Sequence, residues 1–169
     1  LHNESSIEIK QMTAKEEDIL TSKTLLKKGV ALDRVIQNVI VDKSIKADSL
    51  LVGDKNTIIV ALRVSGYGAD YATEVTCPAC GTQQKYTFRL TENRLYSGEE
   101  KDHNNGVFEV TLPSTQVRVA YRLQTGADEK TLLNMMENDR KRKTEMNVTR
   151  QLRNIIVGVN DDTSAEAIN

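Results

Sequence analysis

Two residues in this chain have the type and spacing to do chemistry together: Cys77 and Cys80, in the run Cys77-Pro78-Ala79-Cys80-Gly81. Two thiolates this close on a tight turn can reach one metal ion. Pro78 fixes the turn, Gly81 lets the chain reverse without steric cost, and turn amides can donate to the sulfurs. A C-P-x-C-G knuckle on a β-hairpin is the usual half of a zinc ribbon. A structural zinc takes four ligands, and the chain has only two cysteines. The remaining ligands would come from His103, on a loop that can fold back, or from outside the chain; His2 is remote. Two other readings stand beside this one. A redox dithiol usually sits where a strand feeds a helix whose N-terminus lowers a thiol pKa, and here Thr82 to Leu90 reads as strand, which removes that device. The bland reading is a hairpin tip with two inert thiols.

No other group of residues makes a catalytic set. There is no Ser-centred nucleophile elbow, and only two histidines exist. Glu99-Glu100 and Asp161-Asp162 fall in polar loops, where solvation is the default, whereas a general base needs a partly desolvated site and a partner. Gly66-Tyr67-Gly68 has neither the further Gly nor the Lys-Ser/Thr of a phosphate loop and reads as a helix stop. Arg140-Lys141-Arg142-Lys143 is a basic run flanked by Asp139 and Glu145; a solvated helix end explains it. The sequence therefore predicts no catalytic residue, no small-molecule substrate and no enzyme.

The composition narrows the partners. The chain has 23 basic and 24 acidic residues, a net charge of −1, so it carries no global electrostatic footprint for nucleic acid. The longest apolar run, Ile58 to Leu62, is interrupted by Arg63 and falls far short of the roughly 18 residues of a membrane span. The N-terminus is polar and has no signal-peptide core, which places the protein in a cytosol. At 169 residues the chain is long enough for one ordinary domain or two small subdomains, and with 38% apolar residues and no Trp a lean core can carry the fold. The first residue is Leu, and Asp161 to Asn169 brings no closing element, so the chain reads as processed or truncated.

The elements that must position the cysteine pair follow from spacing. Residues 1–12 read as a flexible arm. Thr13 and Glu16 have capping-box spacing, with Glu17 and Asp18 at the positive end of the dipole, Lys27 and Lys28 at the negative end and Gly29 beyond; this predicts one helix over 14–28. Leu32, Val35, Ile36, Val39 and Ile40 make a second helix with one buried stripe and a polar face of Asp33, Arg34, Gln37 and Asn38. Asp48 caps a short third helix through Leu51, ended by Gly53. Asp54 or Asn56 caps a fourth to about Ser65; Ile58 to Val64 is β-branched enough for a strand, but the caps and the trailing glycines favour helix. Tyr71, Thr73, Val75 and Gln84 to Leu90 predict a hairpin with the cysteines at its tip. Residues 91–106 read as a polar loop. Val107 to Leu112 and Val117 to Leu123 predict a second hairpin bent at Pro113-Ser114. Helices over about 127–143 and 147–157 close the chain. The class is α+β: a helical scaffold over 13–66, a β-hairpin lobe with a zinc-ribbon-like cysteine knuckle over 67–125, C-terminal helices over 126–158 and a tail over 159–169.

Several stretches are familiar in order. "MTAKEEDILTS" at 12–22, "DKSIKADSLLVGDKNTIIVALRVSGYGADY" at 42–71, "VTCPACG" at 75–81 and "FEVTLPSTQVRVAYRLQTGADEK" at 108–130 resemble the baseplate protein family of contractile-tailed phages, related to the minor baseplate-hub protein of T-even phages. The resemblance runs from about Met12 to Gly158. It implies a structural or assembly role in the baseplate hub, other phage baseplate or hub subunits as partners, location in the virion tail or in the host cytoplasm during assembly, and no catalysis. It also implies a second C-x-x-C pair near the C-terminus, which has no counterpart in these residues; Cys77 and Cys80 match the first pair. That departure leaves a structural zinc dependent on His103 or on ligands outside the chain. The alternative function is a zinc-ribbon nucleic-acid-binding module using the knuckle and residues 140–143, which the charge balance disfavours.

Overall fold

The computed structural model describes residues 6–92, 105–142 and 147–168, and they form two compact units. One unit holds residues 6–47 and 53–92; the other holds 48–52, 105–142 and 147–168.

In the first unit the capping box forms as its spacing predicts. The Glu16 carboxylate accepts from the Thr13 backbone N–H at 3.0 Å and from its hydroxyl at 2.6 Å. It opens α1 (Ala14–Thr21). The single predicted helix is in fact two. Ser22 takes an extended conformation and its hydroxyl accepts from Leu25 N–H at 3.5 Å, so a second cap starts α2 (Lys23–Lys27). A serine side chain competes for local backbone donors, which is why it interrupts a helix that charge patterning alone would continue. Gly29, at φ +66°, ends this segment in the left-handed region as expected.

The stripe helix, α3 (Ala31–Val39), buries Ala31, Val35, Ile36 and Val39, with Ile40 buried just beyond it. Leu32 is a correction: it is 47% exposed, and Ala31, one residue earlier, takes the buried place. Ile36, Val39 and Ile40 are the largest fully buried side chains, each stabilising the fold by about 1.5–3 kcal/mol. The polar residues of α3 are engaged rather than merely solvated. Gln37 donates to Ile45 O at 3.1 Å and accepts from Ala47 N–H at 2.9 Å, pinning the following loop. Lys43 donates to the carbonyls of Gln37, Asn38 and Ile40 and so caps the C-terminal end of α3. Within the segment expected as an arm, Ile9 bridges Ile40, with Lys10 N–H to Val39 O at 2.8 Å and Val41 N–H to Glu8 O at 3.0 Å.

The short helix proposed through Leu51 is a single 3-10 turn, Ala47–Ser49. The contested segment is helix, as the caps favoured, but α4 (Val52–Tyr67) begins earlier and runs through Gly53. It buries Lys55, Ile58 and Leu62. Lys55 pairs with Asp33 at 2.8 Å, with side chains only 7% and 13% exposed. After Gly68 (φ +83°), β1 (Asp70–Thr76) and β2 (Gln83–Arg89) form the predicted antiparallel hairpin, in register from Asp70–Arg89 to Thr76–Gln83.

In the second unit β3 (Val107–Thr111) and β4 (Arg118–Arg122) form the other predicted hairpin. Its turn closes with Leu112 N–H to Val117 O at 2.9 Å. It is part of a three-stranded antiparallel sheet in the order β3-β4-β5, and β5 (Ile156–Val159) is a correction. The last predicted helix stops at Ile155 as α6 (Asn147–Ile155), and its expected final turn is strand. α5 (Gly126–Arg142) matches its prediction within a residue at each end. Past β5 the chain turns through Asn160 and Asp161, both at positive φ, into α7 (Ala165–Ile168), so residues expected as a plain tail carry structure. Leu50 and Leu132 are buried in this unit.

Candidate metal site at the hairpin tip

The β1–β2 ladder delivers the cysteines. Its last register pair, Thr76–Gln83, leaves six residues to reverse the chain. Cys77 N–H donates to Thr82 O at 2.9 Å, and Gly81 N–H donates to Cys77 O at 2.9 Å. Gly81 sits at φ +70°, where a side chain would be strained, which is the physical reason a glycine follows the second cysteine. Cys77 is half-buried and Cys80 is exposed, both as free thiols.

Cys80 Sγ lies in hydrogen-bond contact with the Thr82 hydroxyl at 3.3 Å. Contacts with the Thr82 hydroxyl first, then the Thr82 backbone N–H and Cys77, hold the Cys80 thiol below the ordinary cysteine range. The thiolate is the form that binds a metal, so the turn favours the ligating state. The donor set stops at two: among the described residues no group of three or more Cys, His, Asp and Glu could hold an ion. His103, the further candidate, lies outside the described residues. The turn therefore fits half of a tetrahedral thiolate site. The segment after Cys80 is strand, as the sequence predicts.

The other sequence candidates resolve individually. Gly66-Tyr67-Gly68 is the C-terminal end of α4, with the Tyr67 hydroxyl donating to Glu17. Asp161 pairs with Arg118, and Asp162 accepts from Ser164 N–H at 2.8 Å, so both stabilise turns. The run at 140–143 begins within α5, and Glu99-Glu100 lies outside the described residues.

Two polar clusters were not anticipated from the sequence. In one, Asp128 accepts from Thr125 N–H at 2.9 Å and from its hydroxyl at 2.8 Å, a capping box with the shorter acid. Arg122 reaches the same carboxylate with both terminal nitrogens, at 2.6 and 2.9 Å, and also donates to Asn154 O at 3.1 Å. The guanidinium, then the Thr125 donors, hold the Asp128 carboxyl far below its ordinary range. This node ties β4, α5 and the end of α6 together and is structural. The other cluster is the Lys55–Asp33 pair. Each left a signal: Thr125-x-x-Asp128 repeats the spacing of Thr13-x-x-Glu16, and Lys55 shares the i, i+3, i+7 stripe of Ile58 and Leu62.

Compared with known families, the chain matches the model of one described as T4 bacteriophage base plate protein, over residues 1–112. No curated protein and no solved structure matches. The matched segment contains α1 to α4, the cysteine hairpin and β3. No helix of the described residues is long and apolar enough to cross a membrane.

Proposed function

The chain belongs to the T4 bacteriophage base plate protein family, and from that membership we propose that it is a component or assembly factor of the baseplate hub of a contractile phage tail, acting by docking onto other baseplate subunits and catalysing no reaction. The observation that carries this reading is the family match across two thirds of the chain, 112 of 169 residues. The balance of 23 basic against 24 acidic residues supports protein partners over nucleic acid. In the same proposal Cys77 and Cys80 hold half of a structural zinc whose other ligands lie outside the described residues. Such a metal would stiffen the hairpin tip, since closing a metal site contributes folding free energy directly.

The test is genetic. Phage carrying a nonsense mutation in this gene should produce tails lacking an organised tip, visible by electron microscopy, and supplying the protein in trans should restore them. Mutant phage with tips and infectivity like those of the parent would overturn the proposal.

A further inference from the structure

The aromatic residues of this chain are placed where a core does not need them. Among the described residues the buried hydrophobic side chains are all aliphatic: Ala, Val, Ile and Leu. Four of the seven aromatics (five Tyr and two Phe in all) gather instead at the β1–β2 hairpin: Tyr71, Tyr86 and Phe88 on the strands, with Tyr67 at the end of α4. Phe88 meets Tyr71 and Tyr86 in tilted ring pairs, with centroids 5.4 and 5.9 Å apart. Tyr67, Tyr71 and Tyr86 are nevertheless 52%, 40% and 55% exposed.

Strand alternation sorts the hairpin into two chemically opposite faces. One carries Asp70 opposite Arg89 and Glu74 opposite Lys85, charge pairs suited to water. The other carries Tyr71 opposite Phe88, Thr73 opposite Tyr86, and Val75 opposite Gln84, with no charge at all. Among the described residues, Arg63 lies beside it, 5.2 and 5.9 Å from the Tyr67 and Tyr71 rings. Its guanidinium is bound to the carbonyls of Gly68 and Asp70. A face whose strand residues carry no cation offers little to phosphate, which disfavours nucleic acid and anionic lipid. Its complement is uncharged: an apolar protein strip with acceptors for tyrosine hydroxyls, the composition of an interface core.

The dimensions argue against a second copy of this chain as that complement. Seven-residue strands at about 3.3 Å per residue and two strands about 5 Å apart give a face of roughly 200–250 Å². A stable pair needs about 800 Å² from each partner. This face can therefore anchor a contact that other surfaces complete, as a different subunit in a larger assembly would. Resting on the baseplate reading, we propose that the Tyr71/Tyr86/Phe88 face of the β1–β2 hairpin is the anchor by which this protein docks onto an uncharged surface of another tail subunit.

The test places a benzophenone amino acid at position 86, on the aromatic face, or at position 85, on the charged face, of the full chain made in phage-infected cells. Light should crosslink position 86 to one phage tail protein, identified by mass spectrometry, with at least ten-fold less product from position 85. Tyr71→Ser with Tyr86→Ser should cut incorporation into tails at least ten-fold while the isolated chain still gives a folded, cooperative melt, shifted only by the loss of the ring pairs with Phe88; Glu74→Gln with Lys85→Gln should leave incorporation unchanged. A chain that enters tails without crosslinking at 86 overturns the docking face and leaves the baseplate reading standing. Crosslinks from 86 only to a second copy or to nucleic acid also overturn it. A chain that never enters tails or tail intermediates overturns both.

Discussion

Replacing Glu16 by Ala should be among the most damaging single changes in the first unit, although it sits in a helix's first turn. The side chain is only 6% exposed and accepts three hydrogen bonds, from Thr13 N–H at 3.0 Å, the Thr13 hydroxyl at 2.6 Å and Asn38 Nδ2 at 3.3 Å. The first two form the capping box of α1, and losing a cap costs about 1 kcal/mol. The third crosses to α3, and leaving the Asn38 amide without its acceptor in a partly buried site costs about 1–2 kcal/mol more. The sum, about 2–3 kcal/mol, corresponds to a fall in Tm of about 5–10 °C for a chain of this size. Calorimetry and urea denaturation of Glu16→Ala, Asn38→Ala and the double variant measure it, and the cycle should return a coupling of about 0.5–1 kcal/mol between the two sites. The pH dependence has a definite sign. Hydrogen bonds from Thr13 hold the Glu16 carboxyl below its ordinary value of 4.5, so the unfolded chain takes up the proton first. The stabilisation is thus complete above that ordinary value and is lost as pH falls through the lower folded one, and Glu16→Gln should flatten that acid limb. A Glu16→Ala protein within about 0.5 kcal/mol of the parent, with no coupling to Asn38, would refute the reasoning, since that is the range of an ordinary surface substitution.

Asp128→Asn should destabilise the second unit by about 1–3 kcal/mol in denaturant titration, because it weakens both the Arg122 fork and the Thr125 cap; in the parent the contribution of this site should be complete above the ordinary aspartate value of 3.8, begin to fall as pH drops through it, and be lost as pH passes the much lower folded value. Lys43→Met should cost about 1 kcal/mol by calorimetry, since three carbonyls at the end of α3 lose their donor. Gly81→Ala should destabilise the cysteine turn by about 1 kcal/mol and raise its protease sensitivity, as φ +70° is strained for a side chain. Protein from the complete gene should carry zinc by elemental analysis, and Cys77→Ser with Cys80→Ser should release it; a double variant with unchanged metal content, melting and protease resistance would exclude the proposed site.

What the sequence made legible was chemistry that acts over one turn of chain. The Thr13–Glu16 spacing, Gly29, Gly68 and Gly81 marked their boundaries, and alternation in 107–123 marked a hairpin, because each signal is complete within a few residues. The failures have the opposite character. Ile156-Val157-Gly158-Val159 continues the apolar pattern of α6, and only pairing with Val119, Ala120 and Tyr121 makes it a strand. Ala31 and Leu32 lie about 100° apart around the helix, and which one enters the core depends on what packs there. Lys55 falls on the stripe of Ile58 and Leu62, and the partner that lets it be buried there, Asp33, lies 22 positions earlier. The cysteine knuckle was legible as a turn with two thiols on it; among the described residues no further ligand joins that turn.

The third strand of the second sheet has an outcome for how the molecule is made. β4 is its middle strand, hydrogen-bonded to β3 just upstream and to β5 more than thirty residues downstream. During synthesis the 107–122 hairpin emerges first and waits, one flank of β4 bare, while two helices leave the ribosome. Any polypeptide cut short before residue 156 would keep that flank open to whichever strand arrives first.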